Sequence, residues 1–338
     1  MFRSRNRIAG AAVLVIVLCL LAACSATGGR KAFLASQNAG TSQVSGHANT
    51  PHYTVAMITH AEPGDTFWDL IRAGATAAAA KDNITLKYSS NPDPTQQAQL
   101  ITDAVNSKVS GIAVTDPNPT ALCPTIKKAT AAGIPVVMFN AGYTNWQQCG
   151  AMEYFGQDES VAGVAAGKRL AAAGKKNVLC VLQAQGQAQL EARCAGVKQG
   201  LGSEGTMTKL YVNGTDNSAV LSTMSAELTR NKNIDAVITL GAQFALLAIQ
   251  AENQSHATAK IYTFDTSAAE IAKIKSGQVQ WAIDQQPYLQ GYLSVDSLWL
   301  FLTNGDLIGG GQTVFTGPAF VDSTNVDKIA QYAARGTR

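Results

Sequence analysis

Side chains able to grip a hydroxyl-rich ligand recur at one kind of place in this chain, just past the carboxyl end of an apolar run. His60 follows the run 53–59, and Asp65, Phe67 and Trp68 come soon after. Asp116 follows Gly111-Ile-Ala-Val-Thr, Asn140 follows Val136-Val-Met-Phe, and Gln185 comes after 177–182. Gly241, Asp265 and Gln285 stand in the same relation to 235–239, 260–264 and 279–283. Arg193 joins them from the segment after Gln185. Carboxylates accept hydroxyl protons, amides and a guanidinium bind vicinal oxygens two at a time, and aromatic faces cover the C–H side of a ring. The set holds no nucleophile with an adjacent base. The chain also lacks a GxSxG turn, so catalysis is not expected.

Such a set converges only if the runs are strands of a common sheet. Between them lie helix-compatible segments: 67–81, 95–107 and 119–132 in the first half, then 189–200, 218–231 and 243–253 in the second. Gly133 stops one helix in the C′ position, and the wholly apolar Pro135–Phe139 reads as a strand buried on both faces. Alternating strands and helices give a parallel, doubly wound sheet with right-handed crossovers, whose ligand sites lie outside the carboxyl ends of the strands. The alternation starts afresh at Asn177. Val136-Val-Met-Phe-Asn is echoed by Ile261-Tyr-Thr-Phe-Asp, so two similar Rossmann-like lobes are expected.

The amino-terminal segment sets the compartment. Arg3, Arg5 and Arg7 precede an apolar stretch, Ile8–Leu21, of signal-peptide length. Leu21-Ala-Ala-Cys24 closes it and resembles the lipobox of bacterial lipoproteins. That resemblance implies cleavage before Cys24 and diacylation of its thiol. Residues 25–52 are mostly Ser, Thr, Gly, Ala, Asn and Gln, a composition that buries little and reads as a flexible tether. The remaining body has too dispersed a charge, within a chain of net +3, to suggest a nucleic-acid surface. Cys123, Cys149, Cys180 and Cys194 remain after the leader and lipid cysteines. Local spacing favours Cys123 with Cys149 and Cys180 with Cys194 as disulfides; free thiols or a metal site are the alternatives. No CxxC is present and the four histidines are not at ligand spacing, so no metal and no cofactor is expected.

Taken together, Gly64-Asp-Thr-Phe-Trp, Gly133-Ile-Pro-Val-Val-Met-Phe-Asn, Gly156-Gln-Asp-Glu, Glu191-Ala-Arg-Cys-Ala-Gly, Tyr262-Thr-Phe-Asp and Asp284-Gln-Gln-Pro-Tyr-Leu-Gln-Gly resemble the type I periplasmic solute-binding proteins of the ribose and simple-sugar class, which serve ABC importers. The resemblance covers about residues 53–322. It implies that Asp65 meets ligand hydroxyls, that Phe67 and Trp68 stack on a sugar, and that Asp116 and Asn140 bind further hydroxyls from the first lobe. Arg193, Asp265 and Gln285 answer from the second lobe and the hinge. Asn140-Ala141 stands where the pentose pattern has Asp-Arg, and Gly241 where it has Asn. Both departures point away from ribose, toward another sugar or an acyclic polyol.

The same resemblance implies a hinge crossed near Gln157, Gln285 and Gly310. Residues 53–157 with 286–310 would form the first lobe, 158–285 with 311–322 the second, and 323–338 a tail. Partners implied are a sugar or polyol, a permease with its ATPase, and membrane lipid through Cys24, for a monomer that binds no nucleic acid. Plainer roles stay open: Asp65 as a helix cap, Asp265 as the cap of a helix near Ser267, Arg193 paired with Asp158 or Glu191, Phe67 and Trp68 as core. A sensor of a sugar or an autoinducer-2-like ligand, docking on a membrane receptor, is the other function considered. A transcription regulator of the same architecture would carry a helix-turn-helix where this chain has its leader.

Overall fold

The computed structural model describes residues 48–338; the leader, Cys24 and most of the expected tether lie outside the described residues. The described end of the tether does not hang free. The Thr50 carbonyl accepts from Asn83 Nδ2 at 2.9 Å and its hydroxyl from Trp299 Nε1 at 3.1 Å.

Two six-stranded sheets organise the described residues. The first has the order β11-β5-β4-β3-β1-β2 and is wholly parallel. Its strands are β1 (Tyr53–Thr59), β2 (Ile84–Ser90), β3 (Gly111–Val114), β4 (Val136–Phe139), β5 (Glu153–Gly156) and β11 (Thr313–Phe315). The second has the order β12-β10-β9-β8-β6-β7, parallel except for the edge pair β10–β12. It contains β6 (Asn177–Leu182), β7 (Thr206–Tyr211), β8 (Ala236–Thr239), β9 (Lys260–Phe264), β10 (Val279–Asp284) and β12 (Ala319–Asp322). Strands β3, β4, β5 and β8 are buried along their whole length, and β3 and β4 carry the unbroken apolar runs expected of strands covered on both faces.

Helices cover both faces of each sheet. In the first lobe these are α1 (Phe67–Lys81), α2 (Pro94–Asn106) and α3 (Pro119–Ala131), started by Asp93 and Asn118, whose side chains accept backbone N–H bonds at the helix entrances. The second lobe has α4 (Glu159–Ala172), α5 (Ala188–Leu201), α6 (Asn217–Arg230), α7 (Ala242–Ser255) and α8 (Ala268–Lys275). Helix α9 (Pro287–Asn304) returns to the first lobe and packs on α1, with Val295 and Leu298 in its core.

The α4–α5 pair matters most for the site. Gly163 and Gly167 of α4 face Gly196 and Gly200 of α5 so closely that a Cβ on Gly163 would stand 2.4 Å from the Arg193 carbonyl oxygen. This approach places the first residue of α4, Glu159, against the Arg193 side chain. The disulfides are Cys123–Cys149 and Cys180–Cys194, the pairing favoured by spacing.

Two boundaries differ from expectation. Strand 313–315 pairs with β5 in the first sheet, so the third crossing is at 316–318, beyond Gly310, and only β12 joins the second lobe. Residues 323–338 are not a loose tail: α10 (Val326–Ala333) buries Val326 and Ala333 in the second core. A glycine turn at Gly309–Gly311 leads into β11.

Candidate functional site

The carboxyl ends of both sheets face one another across a cavity of about 70 Å³. His60, Asp65, Phe67, Trp68 and Asn140 line it from the first lobe; Arg193, Gly241, Asp265 and Gln285 line it from the second lobe and the crossing. At roughly 10–15 Å³ per water centre this space suits one small ring. The lobes are closed on each other: the Ala188 amide donates to the Pro117 carbonyl at 3.1 Å, and Gln189 Nε2 lies 3.0 Å from His60 Nε2.

Asn140 and Asp265 occupy equivalent places after β4 and β9. Both adopt left-handed backbone, with φ of 62° and 65°. Asn and Asp tolerate that region better than other residues with a Cβ. Each is locked by its amide, Asn140 to the Phe155 carbonyl at 2.9 Å and Asp265 to that of Ile283 at 2.7 Å. The echo between Val136–Asn140 and Ile261–Asp265 is therefore a shared turn that aims one polar side chain into the cavity from each lobe.

Among the described residues, Arg193 is the single buried cation of the site. Its Nε and Nη2 donate to Glu159 at 2.6 and 3.0 Å, and Nη1 to the Leu240 carbonyl at 3.1 Å, with Asp265 Oδ2 at 3.5 Å. Burial works against its charge, but Glu159 and Asp265 outweigh burial and hold the guanidinium protonated. The partner is thus Glu159; Asp158 caps α4 and Glu191 pairs with Lys209 at 2.6 Å. Asp265 Oδ1 accepts from Gln285 Nε2 at 2.7 Å. Burial pushes the Asp265 carboxyl up to about 7, with Arg193 and Gln285 pulling part of the way back. Ser267, not Asp265, caps the helix that follows.

These bonds continue into every crossing between the lobes. Gln157, in the first, donates to Glu159 at 2.8 Å. Gln285, in the second, accepts from Asn140 at 3.2 Å and from Gln290 at 3.0 Å. Gln290 donates to Thr316 Oγ1, in the third, at 3.1 Å. Buried hydrogen bonds thus link Arg193 and Asp265 to all three crossings.

On the opposite wall, burial and then Arg193 lower His60 to about 3, so its imidazole is neutral; Nδ1 lies 2.7 Å from Thr115 Oγ1. Trp68 meets His60 edge-on at 4.7 Å and Phe67 at 5.3 Å. Trp68 lines the cavity and also packs in the core of the first lobe. Asp65 likewise lines the cavity while its Oδ1 accepts from the Phe67 amide at 3.0 Å, and burial raises its pKa.

Two expected residues lie elsewhere. Asp116 lines a neighbouring cavity with Tyr143 and Asn145, because loop 140–150 folds over it and Asn145 donates to its carboxylate at 2.6 Å. Gln185 lies on a groove at the mouth. Conversely, Gln187, Gln189, Phe244 and Thr266 line the cavity without having been anticipated. Gln189 was accessible to reasoning, since it stands four residues before Arg193 and so on the same helix face.

Two hinged lobes that surround a small polar cavity with residues from both sides define a ligand-capturing binding protein. Residues 55–306 match the family of the periplasmic binding protein domain, and the chain belongs to that family. A carbohydrate transporter from Acidothermus cellulolyticus 11B, solved in complex with myo-inositol, is 62% identical, with 85% of this chain and 100% of that one covered and a TM-score of 0.84. A solute-binding protein of an ABC transporter from Agrobacterium vitis, bound with α-D-tagatopyranose, is 26% identical, covering 84% and 98%, with a TM-score of 0.72. The xylose/arabinose-binding protein XylF of Sulfolobus acidocaldarius is 26% identical over 254 residues, which is 70% of this chain; the match spans 63% of that relative's length.

Proposed function

We propose that this chain is the substrate-binding component of an ABC importer and captures one neutral ring polyol, a cyclitol or monosaccharide, outside the cytoplasmic membrane. The observation that carries this reading is the charge arrangement of the interlobe cavity. Among the described residues its one cation, Arg193, is already matched by Glu159 and Asp265, and the other acids, Glu62 and Asp65, have no basic counterpart lining the space. A phosphate or carboxylate would enter an acidic site; hydroxyl groups find acceptors in Asp65 and Asp265 and amides in Asn140 and Gln285. The 62% identical relative, bound to myo-inositol, supports a cyclic polyol.

Hinge closure around a ligand is the known behaviour of periplasmic binding proteins as a class. A ligand touching both lobes favours the closed form by its differential affinity, and the closed form is what a permease would recognise. A lipid on Cys24 would hold the protein beside that permease. Cys24→Ser is then expected to move the protein from the membrane to the soluble fraction with ligand affinity unchanged.

The direct test is a thermal-shift and calorimetry panel of inositols, pentoses, hexoses and linear polyols on residues 48–338. Saturation at a hundred times Kd adds about 2.7 kcal/mol, or roughly 4–5 °C for a body of about 290 residues. No shift with any neutral polyol would reject the reading.

A further inference from the structure

The ligand cavity opens onto a second space. A groove of about 570 Å³ runs along the mouth, walled by Asn118 of the first lobe and by Gln185 and Tyr211 of the second. Glu62, Gln183 and Gln187 line both the groove and the cavity, so the two spaces meet there. Because both lobes supply its walls, closure completes the groove as it completes the cavity.

Its chemistry is again that of a carbohydrate site. Amide side chains alternate with the Tyr211 ring, which is 42% exposed at the edge of the second sheet. No lysine or arginine lines it among the described residues, and Glu62 is acidic, so a phosphorylated ligand is disfavoured. At the junction, Gln183 Oε1 is buried without a hydrogen-bond partner. A buried acceptor left open costs free energy unless something donates to it. The hydroxyl of a ligand passing from cavity to groove would do so.

We propose that the groove is a second sugar subsite, and that the ligands of this protein include glycosides: one ring enclosed between Trp68, Arg193 and Asp265, and a second hexose lying outside against Tyr211 and the Gln183–Gln187 loop. This rests on the ring-polyol reading above and extends it from one ring to two.

The experiment compares single rings (myo-inositol, glucose, galactose, xylose) with their glycosides (galactosyl-myo-inositol, melibiose, lactose, cellobiose, xylobiose) by calorimetry on wild type and Tyr211→Ala. At least one glycoside is expected to bind as tightly as its own ring or more tightly. Tyr211→Ala should weaken that glycoside about tenfold and leave the single ring within twofold; stacking of a ring on an aromatic supports an effect of this size. The unchanged single-ring affinity also certifies that the variant is folded. If single rings bind and every glycoside is excluded, or if Tyr211→Ala alters both alike, the subsite is refuted while the ring-polyol reading stands. If neither class binds, both fall.

Discussion

Ligand affinity in this protein should follow the charge of Asp265. Its carboxyl titrates near 7 because burial opposes ionisation more than Arg193 and Gln285 favour it. A ligand hydroxyl donates well to a carboxylate and poorly to a protonated acid, so binding selects the ionised form. At pH 5, two units below that value, about one molecule in a hundred is ionised, and reaching the binding form costs about 2.7 kcal/mol at 1.36 kcal/mol per unit. The association constant is therefore expected to fall by up to about a hundredfold between pH 8 and pH 5, most of it below pH 7. Calorimetry at pH 6 in two buffers of different ionisation enthalpy should show close to one proton released per ligand bound. His60, neutral above about 3, does not contribute to this window. Folding responds with the opposite sign: a carboxyl raised in the folded state adds stability that is complete below its unfolded pKa of about 3.9 and is lost as pH rises through 7. Acid should thus strengthen the unliganded fold at this position while it weakens binding. Asp265→Asn should flatten the pH profile of affinity. A wild-type affinity constant from pH 5 to 8, or an unchanged slope in Asp265→Asn, would refute the reasoning.

Glu159→Gln removes the bidentate anchor of a buried guanidinium, which typically costs about 3–5 kcal/mol; the melting temperature should drop and ligand affinity fall at least tenfold, with Glu159→Asp restoring part of both. Replacing Cys180 and Cys194 by Ala opens a loop of 14 residues, worth about 3 kcal/mol in chain entropy, and opening Cys123–Cys149, 26 residues apart, should cost about 0.5 kcal/mol more; urea unfolding of the two double variants measures the difference. Gly74→Ala puts a Cβ 1.9 Å from the Tyr288 carbonyl oxygen, where α1 and α9 touch; overpacking of this kind costs about 1–3 kcal/mol or more, and thermal melting should show it with and without ligand.

Most of the alternation of strands and helices was legible in the sequence. Asn177–Leu182 and Lys260–Phe264 have the expected limits, since each is a strongly patterned apolar run. Helix α4 was not anticipated. Its Ala- and Gly-rich sequence has little contrast between faces, and its glycines acquire meaning only against those of α5. Strands β5 and β11 are short and form an edge pair, so periodicity has little to work on. At the site, Asn140 and Asp265 were readable because the chain says the same thing twice. The rule that ligands gather at strand ends brought Asp116 into the list but could not say on which side of the wall it stands; the covering loop with Asn145 decides that. Glu159 escaped because its function depends on the close approach of two helices, which no local pattern encodes.

The split of the last two strands between the sheets has a consequence for how the molecule is made. The first sheet begins at Tyr53 but lacks its edge strand β11 until residue 315, and the face covered by α9 stays open until residue 304. The second lobe starts later, yet by Asp284 it lacks only β12 and the terminal helix α10. As the chain emerges from the export channel amino end first, the lobe begun first is closed only after the main sheet of the other is in place. Val55, Met57 and Val137, which α9 will cover together with α1, therefore wait only partly covered while roughly 150 to 230 further residues pass. A chaperone that holds this protein during export should find its binding site there, on the early half.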